Sequence, residues 1–411
     1  MRKALLGLIL ATSILAVTGN EAQAEHGKAG EKATPCQTKN TTQAQLAGQS
    51  NGLELVFHAN SNERLTDQDK SLITRLIADA TGNIRTLLDD LPTNIRVELA
   101  LVDRNLDKVG GVTGHADNPN LVVIEISTRY PGGVAKAIQD GLVPTIYHEF
   151  HHLARGWTLK GNKFGPGIPI AAVNEGLAIV FADQYSGNAN SWTRYPESVS
   201  GWLDEVLNLP TNASYEMWMM GQHPDGRENI GYRLGKYITH QAMAKTGLDI
   251  IELSQLSPYE ILDIGGLINE HAASLGRLGD YFAKQQLTEK ALVSYQRAYD
   301  TAQKGKHMGA EKYRNKIQLL QNPVVLSEAM LDAYTGSYES RQFKFEISRQ
   351  GRQLMGEMAG RPPFKLYAKS ETSFYIYEAD VKFEFKRHAQ DNKTQLVFHT
   401  PDKAFEINKV N

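Results

Sequence analysis

The sequence predicts an α+β chain built in several parts, and three observations carry that expectation. Apolar residues recur at three- and four-residue steps through much of the first three quarters, strand-like runs interrupt them between positions 53 and 126, and beyond Pro323 the pattern changes to alternation. A length of 411 residues is enough for two or three domains with cores of their own. The charge balance, 44 Lys and Arg against 46 Asp and Glu, implies neither nucleic acid nor a membrane surface as a partner.

The chain opens with Met1-Arg2-Lys3, the apolar run Ala4 to Thr18 and then Ala22-Gln23-Ala24, the three parts of a secretory signal peptide over residues 1–24. This predicts a periplasmic or secreted protein, cleaved after Ala24. The apolar run is too short for a retained anchor, and no later stretch is apolar for long enough to cross a bilayer, so no stable span is expected after cleavage. The only cysteine, Cys36, allows no internal disulfide; the export signal, not cysteine usage, argues for the compartment. Residues 25–50 are polar and small and read as a mobile leader.

A first domain is expected over 51–267. Leu53 to His58 alternates like a strand, and Thr66 caps a helix whose apolar positions Leu72, Ile73, Leu76, Ile77, Ala80, Ile84, Leu87 and Leu88 hold a 3.6 period until Pro92. Strands are expected at 95–102 and 121–126. Between them Val109 to His115 is glycine-rich without the spacing of a phosphate loop, and reads as a plain loop. The segment from Leu142 to Ala154 is helical by its period, with Pro144 in the first turn and Gly156 as its stop. A Gly- and Pro-rich connection, Gly156 to Pro169, leads to a second helix over Asn174 to Asp183. Trp192 to Gly226, with Trp202, Trp218, Met217, Met219 and Met220, either lines a cleft or forms core, and Ile230 to His240 reads as a further helix.

The chemistry lies in Tyr147-His148-Glu149-Phe150-His151-His152, a His-Glu-x-x-His. Residues four apart share a helix face, so His148 and His152 can aim at one Zn²⁺ about 2.0–2.1 Å away. Glu149 leaves the helix about 100° further round, where it can reach a water at the metal without binding the ion. A catalytic zinc needs a third protein ligand, and Glu175, 23 positions after His152, is the candidate if the two helices pack side by side. Asp183 returns to the face of Glu175 and is a candidate for orienting a ligand imidazole, or a solvated carboxylate. His151 projects from another face and reads as a packed or hydrogen-bonded histidine.

His148-Glu149-x-x-His152 together with Asn174-Glu175-Gly176 resembles the gluzincin metallopeptidases, most closely a group of predicted zinc-dependent proteases in which a Glu-Gly-x-Ala helix follows the His-Glu-x-x-His helix. The likeness spans roughly residues 50 to 260. It implies a zincin-like domain of mixed sheet and active-site helices, zinc ligands His148, His152 and Glu175, and Glu149 as general base. The chain departs from the thermolysin pattern in a wider gap to Glu175 and in having Ile179 where that pattern places an Asp, which leaves the role of Asp183 open. The resemblance also implies a hydroxyl or imidazole donor to the oxyanion, with Tyr232 the first candidate and His240 or His223 the next. It implies as well an edge strand beside the active-site helix that pairs with substrate, for which 121–127 is the candidate.

Over 268–322, Leu275, Leu278, Gly279, Phe282, Ala291, Tyr295 and Ala298 fall at the spacing of one tetratricopeptide unit, which the segment resembles. Gln303 stands where that repeat has Pro, and without further copies the unit reads as a helical spacer. Residues 323–411 alternate at 343–347, 374–377, 383–386 and 396–398, predicting an antiparallel barrel or sandwich. Its opening, Leu331 to Tyr338, resembles a small β domain appended to penicillin-binding-protein-like hydrolases.

The expected function is a zinc-dependent peptidase acting on a peptide or protein substrate. Two alternatives stand beside it: a secreted binding or scaffolding protein whose zinc is vestigial or structural, with a fourth ligand such as His151 closing the site, and a zinc hydrolase of a non-peptide amide.

Overall fold

The computed structural model describes residues 52–410 apart from Glu63, 189–190, 306–308, 359–362, 377–378, 388–393 and 401–402. The expected signal peptide and leader lie outside the described residues. The rest divides between Leu267 and Ile268 into two compact units.

The first unit is built on a four-stranded mixed sheet of order β1-β2-β4-β3, with β1 at Leu53–Phe57, β2 at Ile95–Val102, β3 at Val112–Asn118 and β4 at Leu121–Ser127. β1, β2 and β4 run parallel, and β3 pairs antiparallel with β4. Helix α1, Asp67–Arg85, begins in a reciprocal cap between Thr66 and Asp69 and buries Ile73, Ile77, Ala80 and Ile84.

Two expectations change here. The glycine-rich stretch expected as a loop is strand from Val112 onward, because pairing with β4 imposes an extended backbone that its own short, glycine-rich alternation does not signal. It follows that β4, expected as the exposed edge, is paired on both sides, and β3 is the edge strand.

Helix α2 runs Gly133–Arg155, so Pro144 lies about three turns inside it, not in its first turn. A proline there removes one bond to the carbonyl of Asp140, and Asn188 Nδ2 donates to that carbonyl at 3.1 Å. The helix stops at Gly156, whose φ of 70° is left-handed, and Trp157 N–H bonds back to His152 C=O at 2.9 Å. Helix α3, Ile168–Tyr185, is buried at every position from Ile168 to Ala182 and forms the centre of the unit.

Helix α4, Ile230–Thr246, crosses α3 in backbone contact: a Cβ on Gly176 would collide with the main chain of Gly235, and one on Gly235 with that of Ala172. Two short helices, α5 (Ile250–Ser254) and α6 (Pro258–Ile264), close the unit. Among the described residues no helix is long and apolar enough to cross a membrane.

The second unit starts with helices α7 (Ala272–Lys284), α8 (Thr288–Lys304) and α9 (Ala310–Gln321), each packed on the next. After α10 (Glu328–Tyr334), eight antiparallel strands from β5 (Gly336–Glu339) to β12 (Ala404–Val410) pair in sequence, and β12 returns to β5 to close a barrel. Alternate residues fill its interior, among them Tyr338, Phe345, Phe374, Phe383, Phe385 and Phe398.

Candidate metal centre

The three expected ligands come together. His148 Nε2 lies 3.0 Å from His152 Nε2, and Glu175 Oε2 lies 3.1 Å from the first and 3.2 Å from the second. Three ligand atoms held 2.0–2.1 Å from a tetrahedral centre stand about 3.3 Å apart, so this nearly equilateral triangle has the size of one face of a zinc coordination sphere. Its chemistry fits as well: two imidazole nitrogens and a carboxylate oxygen converge, and one cation is what three facing lone pairs share. Among the described residues these three are the group able to hold a metal ion.

Several contacts set the triangle. Arg155, buried at the end of α2, donates from Nε to Asn174 Oδ1 at 3.0 Å, while its other nitrogens hold the carbonyls of Ser254 and Leu256. Asn174 Nδ2 in turn donates to Ile170 C=O. The residue ahead of Glu175 thereby fixes the register of α3 against α2. His151, one place before His152, is fully buried and turned away: its Nε2 lies 2.8 Å from Ser254 Oγ. Since that hydroxyl donates to Ile250 C=O at 2.6 Å, it accepts from His151. Burial, with Arg155 and the neighbouring rings, holds His151 well below the usual imidazole range, so it stays neutral.

The far oxygen of Glu175 is held separately. Trp157 Nε1 donates to Glu175 Oε1 at 3.1 Å and Tyr215 OH donates to it at 3.3 Å, leaving Oε2 to face the imidazoles. Sequence reading missed both residues. Trp157 follows the expected helix stop and falls in a stretch read as connection; Tyr215 precedes a single π turn, Glu216–Met220, which no simple period reveals.

Charge follows geometry. Burial alone would raise Glu175, but His152 and His148 hold its carboxyl well below the usual range. Burial also works against a charged His148, and the bond to Glu175 with the carboxylates of Glu149, Glu175 and Asp183 outweighs it, raising that imidazole. Glu149 lies next to the triangle and outside it; burial pushes its carboxyl up against the pull of His148 and His152. Its side chain lies against β3 at Gly114, where any side chain would meet Glu149 Cγ.

Tyr232, on α4, is bonded to Tyr215. Burial and the nearby Glu175 raise both phenols well above 10, so each remains a donor at neutral pH. Asp183 accepts from Lys236 Nζ at 2.6 Å, while His152 Nδ1 is buried with no hydrogen-bond partner. Asp183 thus makes no hydrogen bond to His152; its carboxylate pairs with Lys236 of α4 and acts through its charge on His148. Of the alternatives to Tyr232, His240 Nδ1 lies 2.9 Å from Tyr195 OH, and His223 packs on Trp218 beside Asp225.

A family model described as "Predicted Zn-dependent protease (DUF2268)" matches residues 89–263, less than half of the chain and all of the centre. No curated protein and no solved structure matches the sequence. The family match and the His-His-Glu group agree on Zn²⁺ as the cofactor. At family level they also support a zinc protease.

Proposed function

We propose that the first unit is a gluzincin-like zinc peptidase, with His148, His152 and Glu175 as ligands and Glu149 as general base. The observation that carries this is the three-atom triangle with His151 diverted to Ser254, which leaves the most obvious fourth protein ligand committed elsewhere. A structural zinc would need a fourth protein ligand; a catalytic one keeps a position for water or substrate.

When bound, zinc supplies Lewis-acid chemistry, polarising the scissile carbonyl and acidifying water. The chain's own residues do the rest. Glu149 takes a proton from the attacking water and passes it to the departing amine, so that the C–N bond breaks to give an acid and an amine. Its raised carboxyl suits a group that must both accept and return a proton. Tyr232, kept protonated by burial, is the hydroxyl that turns to the developing oxyanion, while Tyr215 keeps its proton on Glu175. The edge of β3 at Gly114, level with Glu149, favours an extended peptide over a compact amide as substrate. The N-terminal sequence supports export to the periplasm or beyond.

The test compares full-length protein with Glu149→Gln for metal content and peptide cleavage. One zinc per chain in both, with hydrolysis lowered about 10²–10⁴-fold in the variant, is expected. Loss of zinc from Glu149→Gln would refute its assignment outside the ligand set.

A further inference from the structure

A peptide laid along the edge of β3 runs out of free strand two residues past Gly114. Along a strand, one residue's N–H and C=O face one neighbour and the next residue's face the other side. Ala116 C=O faces away from β4, since it accepts from Leu159 N–H at 2.9 Å. Gly114 lies two positions earlier, ahead of the pairing irregularity between Ala116 and Asn118, so its N–H and C=O face the same open side. Gly114 is also where Glu149 packs on the strand. Free backbone and proposed general base are therefore level.

The next positions are taken. Lys160 N–H donates to Asp117 C=O at 2.7 Å, and Lys160 Nζ pairs with Asp117 Oδ2 at 3.1 Å. Thr158, itself buried, donates from Oγ1 to Lys160 C=O at 2.7 Å and folds this segment against the strand. At roughly 3.4 Å per residue, about 7 Å of edge separates Gly114 from the closed point, the length of two substrate residues.

Building on the peptidase reading, we propose that Leu159–Lys160 is a built-in stop closing one end of the cleft, and that the substrates are peptide ends or short oligopeptides. The reaction is unchanged; only the bond's distance from a chain end is restricted. The stop acts through main-chain bonds, and the Leu159 side chain is 54% exposed, so replacing it removes little packing. Leu159→Pro deletes the donor N–H that closes the edge at Ala116.

The experiment digests a nested series of unstructured peptides of increasing length, with free, N-acetylated or C-amidated ends, using zinc-loaded full-length protein, and locates the cuts by mass spectrometry. Cuts by the parent within about two residues of one end, with at least a tenfold loss of rate when that end is extended, support the stop. Leu159→Pro should move cuts inward and relax that tenfold bias. Cuts spread through long peptides by the parent, or an unchanged cut pattern in a folded, zinc-loaded Leu159→Pro, overturn it while leaving the peptidase reading intact. No cleavage of any peptide by the zinc-loaded parent would instead remove the peptidase reading on which the stop rests.

Discussion

The metal centre of the first unit and the barrel interior of the second are built from opposite materials. Around the metal centre Glu149, His151, His152, Arg155, Asn174 and Glu175 are all buried, and each is tied to another group or aimed at the centre. Inside the barrel the buried side chains are almost wholly aromatic and aliphatic, and Thr394 is the one buried polar residue named among its described strands. Burying a polar group costs free energy unless its bonds are made, whereas a buried aromatic stabilises by area alone. The contrast separates a core kept for what it holds from a core kept for cohesion.

The largest test of that contrast is in the barrel. Phe383 is 1% exposed and packs on Phe345, Phe364 and Phe398 at centroid distances of 5.5, 5.7 and 5.1 Å. Phe383→Ala should destabilise the fold by about 3–5 kcal/mol, read by chemical denaturation, with the zinc affinity of the folded protein unchanged. A parallel loss of zinc affinity would mean that the two cores are not separate in function.

Trp157→Phe makes the reverse test. It keeps a ring but removes the N–H on Glu175 Oε1, the bond that leaves Oε2 facing the imidazoles. Outer-shell partners of this kind are worth about 10–100-fold in metal affinity. Competition with a chelator should show that loss while the metal-free melting temperature moves little. Equal zinc affinity in parent and variant would reduce Trp157 to packing. Tyr215→Phe, which removes the longer bond, should show the smaller effect of the two.

The same contrast explains what could be read from sequence. The candidate ligands on one helix are legible because a four-residue step fixes their geometry, and Glu175 because an Asn-Glu-Gly helix follows. Barrel strands are legible because a one-sided interior enforces alternation, as in Phe343, Phe345 and Ile347. What escaped depends on contacts between distant segments. Trp157 reaches Glu175 through a helix-end turn, and Tyr215 reaches it from a π turn 40 positions away. Asp183 pairs with Lys236 across α3 and α4, two helices whose glycines bring their backbones into contact. Strand β3 was hidden because its extended form comes from β4, and Pro144 misled because its freed carbonyl is bonded by Asn188.

The smallest expected effect lies in pH dependence. His240, beside Tyr195 on α4, is lowered from its ordinary value by burial and then by Lys236. Unfolded, it protonates near pH 6.5; folded, only below that. At pH above 6.5 both states are neutral there and His240 contributes nothing to the pH slope. As pH falls from 6.5 towards the folded value, the unfolded chain binds the proton first and stability is lost. His240→Gln should lose less stability than the parent between pH 7.5 and 5.5, measured by urea denaturation at each pH. The barrel interior, which buries no histidine among its described residues, offers no matching site. An equal loss in parent and variant would show that the acid sensitivity of the first unit does not pass through His240.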